Sequence, residues 1–245
     1  MAEDLGMNGN RLMTRAAGAL ALLALLAGCN GGSGSGVNAA PPLYAQIAQA
    51  TRASIAKNRM HRAERPPLTR KMLDEIEGSY IEVTLERPDI FAYLSAALVR
   101  RDGTPGEVVQ WRTEDEVTLT MRNGMLIATR GLGGDLVSAD VAVAEGVTGP
   151  ASGGEKVMYV RTGDLEERRL VLSCDLADLG PAPVEIVELT HPARHLRESC
   201  TAEGAAGGRV VNDYWVDSRS GIVWQSRQWA GPHIGYMRIR RLTTG

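Results

Sequence analysis

The sequence predicts an all-β chain. It should form a large antiparallel meander, closed or partly open as a soluble barrel, with an N-terminal helix after a cleaved signal peptide. Three observations lead there. From residue 80 onward apolar residues recur at every second position, the period of a half-buried strand. Asn123-Gly124 separates two such runs, and both residue types tolerate the positive φ of a tight hairpin turn. Roughly a dozen strand-like runs follow one another at regular spacing with no helical pattern between them, as in sandwiches and barrels.

The chain begins differently. Arg11 and Arg15 precede an apolar run from Ala16 to Ala27, followed by Gly28 and Cys29. Charge, a short greasy core and small residues in that order are the pattern of a secretory signal peptide. The run is about a dozen residues, short of the roughly 20 that cross a bilayer as a helix. Glu3 and Asp4 do not suit a basic leader, which points to translation from Met7 or Met13. Leu26-Ala27-Gly28-Cys29 resembles the lipobox of bacterial lipoproteins. That resemblance implies cleavage before Cys29, acylation of Cys29 and attachment to a membrane. Residues 1–28 are then signal peptide. Asn30, rather than Asp, follows the cysteine, which leans towards the outer membrane in the enterobacterial sorting pattern.

Residues 29–40 contain the run NGGSGSG and read as a flexible tether. At ~5–6 Å × √n it allows a domain to float about 15 Å from its anchor. Residues 41–245 read as one barrel-like domain with a helical start. Pro41 and Pro42 suit the first turn of a helix, and Tyr44, Ile47, Ala48, Thr51 and Ile55 recur at helical spacing, so residues 42–60 form an amphipathic helix. A shorter helix over 69–77 ends before Gly78. Strands follow at 80–86, 91–100, 107–112, 117–121, from 125 through 127, and at 156–162, 166–175, 183–190, 194–200, 209–217, 221–229 and 234–242. Asp102-Gly103, Gly163-Asp164 and Ser220-Gly221 mark turns between them.

Composition narrows the function. Hydrophobic residues make up 44 %, enough for a core, while aromatics are only 4 % with a single Phe. A membrane-spanning barrel needs aromatic girdles, and the scarcity of aromatics, the cysteine pair and the lipobox argue for a soluble periplasmic barrel instead. The net charge of −2 argues against nucleic acid as a partner. Besides Cys29 there are only Cys174 and Cys200, and an even pair in an exported chain reads as a disulfide. Closing a loop of about 25 residues stabilises by roughly 3 kcal/mol in the chain-entropy model. Two separate thiols are the alternative. No CxxC or ordered His set accompanies the pair, so no metal is expected.

Two blocks carry a family resemblance. Residues 119–140 read LTMRNGMLIATRGLGGDLVSAD, and residues 212–242 read NDYWVDSRSGIVWQSRQWAGPHIGYMRIRRL. With the lipobox, they resemble the YjbF/GfcB family, the group 4 capsule polysaccharide lipoproteins, from about residue 67 to residue 242. The resemblance implies an outer-membrane lipoprotein, facing the periplasm, accessory to capsule or exopolysaccharide secretion. It brings no catalytic residues, no cofactor and no enzymatic activity, and its implied partners are polysaccharide and the proteins of an export machinery.

Several constellations have a chemistry of their own. Arg130-Gly131-Leu132-Gly133-Gly134-Asp135 is rich in glycine, but no Lys-Ser/Thr and no helix follows, so a phosphate loop does not fit. It reads as a loop leaving the hairpin, with Arg130 and Asp135 capping or pairing in the turn, or as a polar rim touching glycan or a partner protein. Trp215, Trp224 and Trp229 are candidates for stacking on sugar, against core packing. All three cannot share one face without a bulge. His191 and His195 lie one helical turn apart, but Pro192 between them makes surface-loop histidines the better reading. Gly32-Ser33-Gly34-Ser35-Gly36 spells a nucleophile elbow only in letters, being part of the tether. Asp135 and Asp140 are weak candidates for a carboxylate pair. Arg238, Arg240 and Arg241 read as a solvated basic strand face. Two rival functions remain: a barrel carrying a lipid or lipid-linked sugar in an apolar cavity of a few hundred Å³ or more, and a glycan-processing enzyme with two carboxylates at ~5–10 Å.

Overall fold

The structure is a computed structural model that describes residues 67–87, 89–161, 166–203, 208–217 and 219–244. The signal peptide, the tether, Cys29 and the helix expected over 42–60 lie outside these residues. One short helix, α1 (Arg70–Asp74), opens the described chain. The Thr69 hydroxyl caps it by accepting from the Met72 amide at 3.3 Å, which satisfies one of the free amides of the first turn.

Twelve strands then form one antiparallel sheet: β1 (Tyr80–Leu85), β2 (Ile90–Arg100), β3 (Val108–Arg112), β4 (Thr118–Arg122), β5 (Met125–Arg130), β6 (Leu136–Ala139), β7 (Gly154–Arg161), β8 (Glu167–Pro181), β11 (Arg194–Ala202), β12 (Arg209–Val216), β13 (Val223–Trp229) and β14 (Tyr236–Arg241). A separate hairpin, β9 (Val184–Ile186) and β10 (Leu189–His191), interrupts the series. The spatial order is β5-β4-β3-β2-β1-β14-β13-β12-β11-β8-β7-β6. The first and last strands of the domain, β1 and β14, pair in the middle. The two sheet edges, β5 and β6, are consecutive in sequence, and the sheet curls until they meet as a nearly closed barrel. Among the described residues no helix is long and apolar enough to cross a membrane.

Alternation sends Ile81, Val83, Leu94, Trp111, Leu119, Met158, Val160, Leu172, Met237 and Ile239 inward to one main core. A second cluster covers the outside of the barrel. Leu73 of α1 and Val184 and Ile186 of β9 pack with Phe91, Tyr93, Trp224 and Leu242. The Arg70 amide donates to Glu188 Oε2 at 3.2 Å, fastening helix to hairpin. Asn123 and Gly124 take φ of +51° and +82°, and Arg122 faces Met125 across a two-residue turn, as the dipeptide requires.

Three expected elements differ. Residues 183–190 are a hairpin rather than one strand. Val187 and Glu188 reverse the chain at φ +43° and +67°, a strained conformation for a β-branched residue, so that both Val184 and Ile186 reach the outer cluster. The segment after the glycine run is a strand, β6, too short to show its period. β8 continues past Asp175 to Pro181, because β11 pairs with it over that length.

Cys174 and Cys200 are bonded, facing each other across β8 and β11. They are 26 residues apart. Replacing both with Ala should lower the unfolding free energy by roughly 3 kcal/mol through the freed loop entropy. Urea unfolding of the two forms checks this, and equal midpoints would contradict it.

Candidate functional site

The barrel has two mouths of different chemistry. At one end lie the β1–β2, β3–β4 and β13–β14 turns and the β5–β6 loop. They surround a cavity of about 410 Å³ lined by Leu85, Ile90, Ala92, Val117, Leu132 and Ile234, among others, with Arg87, Thr113, Asp115 and His233 as its polar members. Asp115 accepts from the Thr113 hydroxyl at 2.5 Å. At the other end a cavity of about 180 Å³ carries Glu107, Asn123, Thr148, Ser226 and Arg241 beside Trp111 and Ile239. Each cavity contains one carboxylate in its lining, Asp115 or Glu107. Two carboxylates flanking one bond, as glycoside hydrolysis needs, are not brought together in either.

The glycine-rich segment is the seam of the barrel, since it joins the two edge strands. Asp135, 8 % exposed, accepts from the Thr129 hydroxyl at 2.8 Å, the Gly131 amide at 3.0 Å and the Leu132 amide at 3.1 Å. The Leu136 amide donates to Thr129 Oγ1 at 3.0 Å. Gly131 and Gly133 have φ of +94° and +92°, which only glycine adopts without strain. A Cβ on Gly134 would collide with the His233 ring, so this loop and the β13–β14 turn rest directly on one another. Arg130 is exposed at the end of β5, and Asp140 is exposed after β6. The structure therefore separates the candidate pair Arg130 and Asp135. Asp135 faces inward and is committed to the turn, while Arg130 faces solvent.

The tryptophans are placed by a bulge. Trp215 pairs with Gln225 but Val216 pairs with Val223, so Trp224 is the extra residue. Extra residues break alternation, and Trp224 turns outward onto the second cluster, 9 % exposed. Its indole donates to Asp217 Oδ2 at 3.3 Å. The His191 ring stacks on it at 3.6 Å between centroids. Burial holds the His191 pKa below its ordinary value. Trp215 is half-buried and stacks on His195 at 4.5 Å with planes 6° apart. Trp229 is half-buried, faces Tyr236 in register and packs against the main core. The histidines expected in a surface loop are thus on β10 and β11, each against a tryptophan. His195 Nε2 lies 2.6 Å from Asp213 Oδ1, which also accepts from Arg197 Nε at 2.8 Å. Burial pushes the Asp213 carboxyl up, but the Arg197 and His195 contacts outweigh it and hold the pKa low.

The basic strand divides by alternation. Arg238 and Arg240 face outward towards Glu86 and Glu82, at 3.7 and 3.3 Å. Arg241 turns inward instead, over the Trp111 ring at 4.8 Å, where burial lowers its pKa.

Two interior polar groups lay outside the expected site. Lys156 Nζ bonds Glu198 Oε2 at 2.6 Å, and Asn212 Nδ2 bonds the same oxygen at 2.7 Å. Glu198 is 2 % exposed. The signal was present: Lys156, Met158 and Val160 alternate, as do Glu198 and Cys200, so period two places both charges inside. Gln228 ties β13 to β5 across the interior, accepting from the Leu126 amide at 2.8 Å and donating to Gly124 O at 3.0 Å. Tyr214 donates to the same Gln228 oxygen at 3.3 Å, and full burial keeps its phenol pKa well above the ordinary value.

Comparison with known proteins gives three findings. Residues 49–242 match the family described as group 4 capsule polysaccharide lipoprotein gfcB, YjbF. Among solved structures, the hypothetical lipoprotein YmcC from Escherichia coli superposes with a TM-score of 0.60 at 18 % identity, covering 81 % of this chain and 96 % of that one. No curated protein matches.

Two outcomes follow from this geometry. Asp135→Ala strands three donors and should cost about 2–4 kcal/mol, whereas Arg130→Ala should stay within about 0.5 kcal/mol, both read from denaturant midpoints. Lys156→Met leaves Glu198 charged and buried and should cost about 3–5 kcal/mol. Adding Glu198→Gln removes that charge, keeps an acceptor for Asn212, and should restore more than half of the loss in the same assay.

Proposed function

Because the chain belongs to the YjbF family of group 4 capsule polysaccharide lipoproteins, we propose that it is an accessory protein of capsule or exopolysaccharide secretion. In this reading acyl chains on Cys29 hold it at the outer membrane, facing the periplasm, and it performs no chemistry of its own. The family match over residues 49–242 carries the proposal. The lipobox supports the anchor. Each buried methylene contributes ~0.8 kcal/mol, and more than one chain gives lasting attachment. A flexible tether then keeps the barrel near the membrane and raises its effective concentration there.

The interior supports a binding or scaffolding role over catalysis. Its buried charges, Lys156 and Glu198, neutralise one another, and Asp135 is spent on the seam. Partners in this reading are the exported polymer and proteins of the export machinery. Exposed Arg130 and half-buried Trp215 and Trp229 are the sequence candidates whose surfaces still reach solvent.

A deletion strain should show less surface polysaccharide with unchanged polymer composition. Cys29→Ser should move the folded protein from the membrane to the soluble fraction and reproduce most of the deletion phenotype. Unaltered surface polysaccharide in the deletion strain would remove the export role. Cys29→Ser protein still sedimenting with the outer membrane would remove the acyl anchor.

A further inference from the structure

The apolar mouth leaves aliphatic surface uncovered. Leu85, Ile90, Ala92, Val117 and Leu132 line it, and each is only half-buried. Aliphatic surface left in contact with water is unfavourable, so close packing of this end would be favoured if nothing entered it. Its volume of about 410 Å³ falls in the range of ligand pockets, and barrel mouths are a recurrent place for them.

The distribution of polar groups selects the ligand class. Inside, the lining offers almost no hydrogen-bonding side chains. At the turns, Arg87, Asp115 and His233 supply both donors and acceptors. A free sugar would lose its water inside and regain few hydrogen bonds. An added peptide strand would need an unpaired edge, but β1, β2, β3, β4, β13 and β14, the strands ending in the hairpin turns here, each pair on both sides. An amphiphile with one aliphatic chain meets both halves: chain inside, head among the turn residues. A chain belonging to a lipoprotein family also works beside a lipid surface, where such molecules are concentrated. The opposite mouth, at about 180 Å³ with Glu107, Ser226 and Arg241 in its wall, has no such division.

We infer that the open mouth binds the single aliphatic chain of a lipid-like amphiphile, chain inward and polar head at the β1–β2, β3–β4 and β13–β14 turns. This goes beyond the export role and does not rest on it. The β5–β6 seam fixes one wall, because Asp135 holds the loop carrying Leu132 and His233 packs on Gly134.

The test uses the full chain with Cys29→Ser, purified without detergent, and alkyl glucosides below their micellar concentrations. Calorimetry with methyl, hexyl, octyl and decyl glucoside, and native mass spectrometry for stoichiometry, should show one molecule bound per chain. Affinity should rise about three- to fourfold per methylene until the cavity is full, and methyl glucoside should not bind. Ala92→Leu and Leu132→Trp fill the cavity from the wall and the rim loop, and each should weaken octyl glucoside binding about tenfold or more. Leu132→Trp sits on an already half-exposed loop, so it keeps the test usable if Ala92→Leu disturbs folding. The inference is overturned by methyl glucoside binding as well as octyl, by the absence of saturable one-to-one binding, or by unchanged affinity in a folded Leu132→Trp chain.

Discussion

Closing the sheet is the constraint on which the rest of this structure depends. The strand order runs outward from the β1–β14 pair and ends with β5 and β6 as edges. Two exposed edges would present unpaired amides and carbonyls, a template for association with other chains. Here the edges are joined by a short loop and tied by side chains. Thr129 and Asp135 accept from the amides of Leu136, Gly131 and Leu132. Gln228 reaches across from β13 to take the Leu126 amide. The Leu126 and Leu136 amides are buried donors, where leaving the donor unmet costs more than making the bond gains. The glycines are needed for the same reason: the loop must turn sharply enough for one carboxylate to meet three donors.

Closure also explains the polar interior. A barrel of twelve strands encloses more space than aliphatic side chains in register can fill, and this one places Lys156, Glu198, Asn212, Tyr214, Ser226 and Gln228 among them. They are affordable because they satisfy one another. Lys156 and Asn212 converge on one Glu198 oxygen, and Asn212 in turn accepts from the Trp229 amide at 2.8 Å. The disulfide lies beside Glu198 on β8 and β11, so covalent and electrostatic ties reinforce the same strands. The smaller mouth carries polar side chains in its wall, Ser226 among them, whereas at the larger mouth they are confined to the turns.

Much of the fold was legible in the residues because period two and turn chemistry are local. Asn123-Gly124 and the alternation of β1, β4 and β7 need only neighbours in sequence. What was not legible depends on partners far along the chain. The bulge at Trp224 arises from its pairing with β12, and it reverses the face that alternation assigns. The reversal at Val187 is set by what Val184 and Ile186 can reach on α1 and β13, since neither residue of the turn favours positive φ. Arg241 reads as part of a basic stripe with Arg238 and Arg240, yet alternation alone could have turned it inward. Asp135 is the instructive case. Its proximity to glycines was visible, but its importance comes from β5 and β6 being opposite edges of one sheet, which no local pattern encodes.

The seam and the apolar mouth are therefore coupled by geometry. The loop that closes the sheet is also a wall of the cavity, through Gly131 and Leu132, and the β13–β14 turn rests on it through His233. Had β5 and β6 been joined by a regular ladder to their ends, the adjacent strands would carry alternating side chains into this space and narrow it. A side-chain closure satisfies the backbone and leaves Leu132 as the loop's apolar side chain on the cavity. The seam that makes the sheet continuous thus borders the open end of the barrel, the end where an apolar surface remains to be covered.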